Sequence, residues 1–128
     1  MRVLLDTCTF IWLCAEPSRL SANVTQILGR RDTLPVFSHA SILEITLKWT
    51  AGKIILPAPP RQWIGEQAAI WQMALLPITP DDIYRASELP TLHADPFDRL
   101  LVATAIGRRL SLLTPDEWMK RYPVSCLW

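Results

Sequence analysis

Val3, Leu4 and Leu5 form a short apolar run that stops abruptly on Asp6 and Thr7. A run without polar alternation reads as a central parallel strand, buried on both faces. A carboxylate at its last position is thrown out at the C-terminal edge of the sheet, where open α/β folds place their sites. One such strand sets both the fold class and the place to look for chemistry.

The rest of the chain alternates as a parallel, doubly wound sheet would. Thr9 to Ala15 carries Phe10, Ile11, Trp12 and Leu13 too densely for an exposed loop, so a short buried helix is expected there. Ser21 suits the cap of a helix from Ala22 to about Arg30. Leu34 to Phe37 reads as a second strand, and Ser41 opens a helix to about Ala51, with Ser41 and Glu44 at capping-box spacing. A proline-rich connector, Ile55 to Pro60, leads to a helix over Arg61 to Gln72. Ala74 to Ile78 reads as a third strand, and Thr79-Pro80-Asp81 begins another helix. Asp95-Pro96-Phe97-Asp98 starts a long helix to about Arg108, with Gly107 marking its end. Leu110 to Leu113 is a fourth strand, Thr114-Pro115-Asp116-Glu117 another capped helix start, and Pro123 to Trp128 a fifth strand. The expected architecture is a compact three-layer α/β fold, with a mainly parallel sheet of four to five strands flanked by helices.

A length of 128 residues allows one domain, 1–128, with a real core, and is too short for two. Half the residues are apolar and 20% are charged, a globular composition. No apolar run approaches the roughly 20 residues of a spanning helix, and the N-terminus lacks the layout of a signal peptide. A cytoplasmic location is therefore expected, with no membrane partner. Cys8, Cys14 and Cys126 are odd in number and form no CxxC, so they read as buried small apolar residues in a reducing compartment. His39 and His93 stand apart from them, and a zinc site is not expected. The net charge of +1 argues against bulk electrostatic coating of nucleic acid. Arg30-Arg31, Arg108-Arg109 and Lys120-Arg121 remain as local basic pairs, for which helix ends are the plainer explanation.

Each informative acid has a structural explanation of its own. Asp6 can cap the next turn, and Glu44 can complete the capping box or pair with Lys48 one turn on. Asp95 is well placed as a cap before Pro96, and Asp116 suits a helix N-terminus. Taken together these explanations weaken, because the topology sends Asp6, Glu44, Asp98 and Asp116 toward one sheet edge. A pair of carboxylates at about 4 Å repels by on the order of 4 kcal/mol at an effective dielectric near 20. A hard cation removes that repulsion, and all-oxygen ligands suit Mg²⁺ or Mn²⁺. Such an ion can acidify a bound water and neutralise charge on a phosphodiester.

Four segments, LLDTCTF, SHASILEITLKWTAGK, HADPFDRLLVATA and LLTPDEW, stand in an order that resembles the PIN domain over nearly the whole chain. Among its branches the chain is most similar to the VapC-type toxins of bacterial and archaeal toxin–antitoxin pairs. The resemblance implies a PIN-like fold and an Mg²⁺- or Mn²⁺-dependent endoribonuclease, inhibited by a small cognate antitoxin and usually homodimeric. It carries the catalytic, metal-site acids onto Asp6, Glu44, Asp98 and Asp116, and a site hydroxyl onto Thr114. The implied reaction is in-line hydrolysis of an RNA phosphodiester by a metal-activated water. Asp6, Glu44 and Asp98 would hold the main ion, and Asp116 would complete the site or bind a second ion. Asp95, Arg99 and Lys48 are auxiliary candidates. Asp95 would act directly or through water, and Arg99 would reach a phosphate or steady a carboxylate. Lys48 would contact phosphate or pair with Glu44.

The rival reading is a PIN-fold module that binds RNA or protein without cutting, although all four acids are present. A phosphoacceptor receiver domain would need an acidic neighbour beside Asp6, and an aspartyl-nucleophile phosphatase would need an acid where Cys8 stands. The six tryptophans raise a separate question. Trp12, Trp49 and Trp118 are expected in or near the core. Trp63 and Trp71, with Ile64, either pack inward or form an apolar stripe that receives an antitoxin segment.

Overall fold

The computed structural model describes residues 1–128. Its elements run β1 (Arg2–Leu5), α1 (Thr7–Ala15), α2 (Ala22–Gly29), β2 (Leu34–Ser38), α3 (His39–Thr50), α4 (Pro60–Ile70) and β3 (Ala74–Leu76). They continue with α5 (Pro80–Glu88), α6 (Pro96–Arg108), β4 (Ser111–Leu113) and β5 (Cys126–Leu127). The five strands lie in the order β3-β2-β1-β4-β5, and every pairing is parallel. The strand that ends on Asp6 is therefore the middle one. Leu4 sits opposite Val36 on one side and Leu112 on the other.

Alternation along the central strands makes the three layers. Val3, Leu5, Phe37 and Leu113 point to one face and pack with Phe10, Val24, Ile45 and Trp63. Leu4, Val36 and Leu112 point to the other and meet Leu101, Val102, Ala105 and Met119. Helices α1, α2 and α4 thus cover one side, and α6 covers the other. The chain leaves β1 toward β2 on one flank and reaches β4 on the other, so the switch point of a doubly wound sheet falls beside Asp6. The Asp6 amide donates to the Leu113 carbonyl at 3.1 Å, tying the ends of β1 and β4 together there.

Several local expectations are corrected. Helix α3 begins at His39 with Ser38 as its cap, accepting from the Ala40 amide at 3.0 Å. The Ser41–Glu44 capping box therefore does not form; both residues lie inside the helix and face α1. Thr114 to Glu117 opens no α-helix. It makes a turn in which Asp116 Oδ1 accepts from the Trp118 and Met119 amides at 2.8 and 3.3 Å, followed by one 3₁₀ turn, Met119–Arg121. Gly107 does not end α6, which runs on to Arg108 and closes with Arg109 in the left-handed region at φ 54°. The glycine instead admits a close approach: a Cβ there would lie 3.1 Å from Arg85 Nε of α5.

The tryptophans are also redistributed. Trp63 is buried edge-on against Phe10, with ring centroids 5.6 Å apart, and Ile64 is buried beside it. Trp49 and Trp118, expected inside, are exposed. The expected stripe on α4 therefore splits: Trp63 and Ile64 belong to the core, and Trp71, at the C-cap, is exposed. The cysteines are half-buried and unpaired. No helix is long and apolar enough to cross a membrane.

Candidate metal centre

Asp6 stands where the sequence put it, at the end of β1, and its carboxylate is fully engaged. Oδ1 accepts from the Thr9 amide at 2.8 Å, so the side chain also caps α1. Oδ2 accepts from the Thr114 hydroxyl at 2.5 Å, and the Cys8 thiol approaches both oxygens at 3.3 and 3.4 Å. Burial pushes the Asp6 carboxyl above its ordinary value, against the lowering effect of these donors. Burial, with the Asp6 charge beside it, also pushes the Cys8 thiol far up, so it stays a thiol and a donor.

Glu44 is held from both sides. Its Oε1 accepts from the Thr7 hydroxyl at 2.6 Å, and that hydroxyl lies 3.0 Å from Ser41 Oγ. Its Oε2 meets Lys48 Nζ at 2.7 Å, one helical turn away. The hydrogen bond to Glu44 raises the Lys48 ammonium, with the Asp95 and Asp98 charges adding to it. Thr7 is a site residue that the sequence did not single out. Its place directly after Asp6 was the available signal.

Asp98 is the third residue of α6. Asp95 caps that helix, its Oδ1 accepting from the Phe97 and Asp98 amides at 2.9 and 3.2 Å. Asp98 has no such set of donors. Burial lifts its carboxyl to about 6, the hydrogen bond from His93 opposes this, and the charges of Asp95, Glu44 and Asp116 lift it further. His93 Nε2 lies 2.8 Å from Asp98 Oδ2. Donor atoms of His93, Asp98 and Asp116 all fall within 4.8 Å of one another. Thr114 connects this group to Asp6, because its hydroxyl oxygen also accepts from the Asp116 amide at 3.1 Å.

The structure thus gathers Asp98 and Asp116 with His93, and joins Asp6 to them through Thr114. Glu44 lies within the electrostatic reach of Asp98. Arg99 faces elsewhere. Its guanidinium donates to the carbonyls of Ala86, Leu89, Pro90 and His93 and to the Tyr122 hydroxyl, at 2.7 to 3.2 Å. It neither points to open solvent nor touches a carboxylate. Oxygen donors with one imidazole nitrogen, around a carboxylate that resists ionisation, are a donor set that fits a divalent cation.

The PIN domain family model matches residues 3–124. Ribonuclease VapC22 of Mycobacterium tuberculosis (strain ATCC 25618 / H37Rv) is 35% identical over 123 residues, covering 94% of this chain and 91% of that protein. Among solved structures, VapBC2 from Rickettsia felis, bound to a DNA fragment from its promoter, aligns with a TM-score of 0.75 at 16% identity. That alignment covers 99% of this chain and 98% of the other. FitAcB from Neisseria gonorrhoeae aligns with a TM-score of 0.64 at 19% identity, over 98% and 96% of the two chains. At these identities the structural likenesses speak for the fold.

Proposed function

The chain belongs to the PIN domain family, and from that membership we propose that it is a divalent-cation-dependent endoribonuclease, the toxin of a toxin–antitoxin pair, formed by one nuclease domain over residues 1–128. The observation that carries this reading is the meeting of Asp98 and Asp116 beside Asp6 at the C-terminal edge of the parallel sheet, with Asp98 held at about 6 by burial and neighbouring charge. A carboxylate raised by burial and by like charges in a cluster at the sheet edge is a functional-site signature. The relative named as a ribonuclease supports the reaction class, and VapBC-5 from Mycobacterium tuberculosis, a solved member of the VapBC family of toxin–antitoxin systems with the same fold (TM-score 0.58), supports the kind of partner.

Asp6, Glu44, Asp98 and Asp116 would hold Mg²⁺ or Mn²⁺, directly or through water. When bound, the cation supplies Lewis acidity and offsets the charge that builds on the phosphodiester. The protein supplies placement. Thr114, Thr9 and Cys8 fix the rotamer of Asp6, and Thr7 with Lys48 fixes that of Glu44. Lys48 is half-exposed, so its ammonium stands at the mouth of the site, where an RNA phosphate would pass. Asp95 acts through α6, whose first turn it caps and whose third residue is Asp98. A cognate antitoxin, a homodimeric state and a cytoplasmic location complete the proposal.

The test is cleavage of total cellular RNA by purified, antitoxin-free protein with Mn²⁺, with Mg²⁺ and with chelator, beside Asp98→Asn prepared identically. Discrete, cation-dependent cuts lost in the variant are expected. Intact RNA from folded, cation-loaded protein would move the chain to the rival class, a PIN-fold module that binds without cutting.

A further inference from the structure

The acids leave one feature of the site unexplained. His93 lies in the segment between α5 and α6, which has no regular structure of its own, yet its ring is held by two side chains and its backbone by a third. Its Nε2 is 2.8 Å from Asp98 Oδ2. Its plane lies parallel to the Trp118 indole within 6°, with centroids 6.2 Å apart. The Arg121 guanidinium sits 4.3 Å over that same indole. Its backbone carbonyl accepts from Arg99 Nη1 at 3.2 Å, and Arg99 also binds the carbonyls of Leu89 and Pro90 earlier in the segment. A half-buried loop histidine does not ordinarily receive this much support. A ligand does, because metal affinity depends on donors being oriented before the ion arrives.

We propose that His93 donates Nε2 to the same cation as Asp98 and Asp116, making the centre a mixed nitrogen–oxygen site that selects Mn²⁺ over Mg²⁺. This inference rests on the cation-dependent reading of the site and specifies which ion it takes. Neighbouring donors around a six-coordinate ion with bonds near 2.1 Å stand about 3 Å apart, and opposite donors about 4.2 Å. The observed 2.8 Å between Nε2 and Oδ2 is a neighbouring separation. The donors of all three residues lie within 4.8 Å of one another, so a modest inward shift would bring them to such spacings. The hydrogen bond and the pair of coordinate bonds therefore use nearly the same atomic positions. Mg²⁺ is a hard ion that prefers oxygen and keeps its waters, whereas an imidazole nitrogen favours first-row transition ions.

Selectivity is measured on the full chain, stripped with chelator. Free Mn²⁺ is followed by its aqueous electron paramagnetic resonance signal, with Mg²⁺ as competitor, for wild type, His93→Gln and Asp98→Asn. Wild type should bind Mn²⁺ at least tenfold more tightly than Mg²⁺. His93→Gln should lose about tenfold of its Mn²⁺ affinity and little of its Mg²⁺ affinity. Bound Mn²⁺ in the wild type should show the spin-echo modulation of a directly coordinated ¹⁴N, a reading that needs no variant to fold. Tight Mn²⁺ binding that Asp98→Asn abolishes, with no ¹⁴N modulation and no change in His93→Gln, would overturn the role of His93 and leave the cation-dependent reading standing. Failure of wild type to bind either ion would overturn both.

Discussion

Replacing Asp98 by asparagine should make the cation-free protein more stable at neutral pH while removing the cation's ability to stabilise it. Burial holds the Asp98 carboxyl at about 6 instead of 3.8, and the charges of Asp95, Glu44 and Asp116 add to the effect. A raised carboxyl favours the protonated form in the folded state. Its stabilising contribution is complete below pH 3.8 and is lost as pH rises to about 6. Above that window the ionised group destabilises the fold by about 3 kcal/mol. The side chain is only 20% exposed, so solvent screening reduces this little. Asparagine carries no charge to desolvate and still offers an oxygen to His93. It forfeits the interaction of a negative charge with the first turn of α6, about 0.5 kcal/mol. A net gain of about 2 kcal/mol at pH 8 is expected, on the order of 8 °C in Tm for a chain of this size. The assay is urea and thermal unfolding in chelator from pH 4 to pH 8, repeated in a His93→Gln background to remove the imidazole as a second titrating group. The gain should grow between pH 4 and 6 and stay level above. Adding Mn²⁺ should then raise the Tm of wild type alone. A variant less stable than wild type at pH 8, or a difference that does not change across the window, would refute the reasoning.

The remaining predictions use the same measurements. Thr114→Val keeps the buried volume but removes the donor to Asp6 and the acceptor for the Asp116 amide; it should cost about 1–3 kcal/mol in urea unfolding and weaken Mn²⁺ binding. Arg99→Lys should destabilise by about 2–4 kcal/mol, because one ammonium cannot replace a fork that reaches four carbonyls and the Tyr122 hydroxyl. Calorimetric titration should also show Mn²⁺ binding reduced by the loosened His93 segment. Trp63→Ala should lose about 3–5 kcal/mol through a cavity beside Phe10, read by urea unfolding. A small loss there, with antitoxin affinity falling instead, would return Trp63 to the surface reading.

What the sequence made legible divides along physical lines. Asp6 was readable because an apolar strand announces its own end, and the orientation of a strand end follows from the sheet. Asp95 and Asp98 were readable because Asp-Pro is a local helix-start signal, and Asp95 does cap α6. Glu44 was assigned to the site, and of its two expected local partners Lys48 is the one it meets, at 2.7 Å, while the capping box with Ser41 does not form. Ser41 and Glu44 have the spacing of a capping box, yet Thr7, more than thirty positions earlier, takes the place of the backbone amide. His93 was missed because nothing in its neighbours marks it. It reaches Asp98 only because the segment before α6 folds back under the five hydrogen bonds of Arg99. Trp49 was misread for a related reason. Its spacing from Ile42 and Ile45 is helical, but it stands in the last turn of α3, where with Ile42 and Thr46 it lines an open groove against the start of α4 instead of a closed core.

The hydrogen bonds also divide the acids in a way that spacing alone does not express. Glu44 has a hydroxyl on one oxygen and an ammonium on the other. Asp6 has an amide, a hydroxyl and a thiol, although burial still outweighs them. Asp98 has one imidazole and three like charges around it. The fold therefore pairs both oxygens of Glu44 in α3, gives Asp6 several donors against its burial, and leaves Asp98 in α6 with the fewest. A cation arriving at the site gains most at Asp98, where the protein offers least. Neutralising Glu44 should then break its ion pair with Lys48 and lower stability, whereas neutralising Asp98 should raise it. A gain at Asp98 separates a centre built to receive a cation from carboxylates that merely cap their own helices, since asparagine caps a helix about as well as aspartate and would leave stability nearly unchanged.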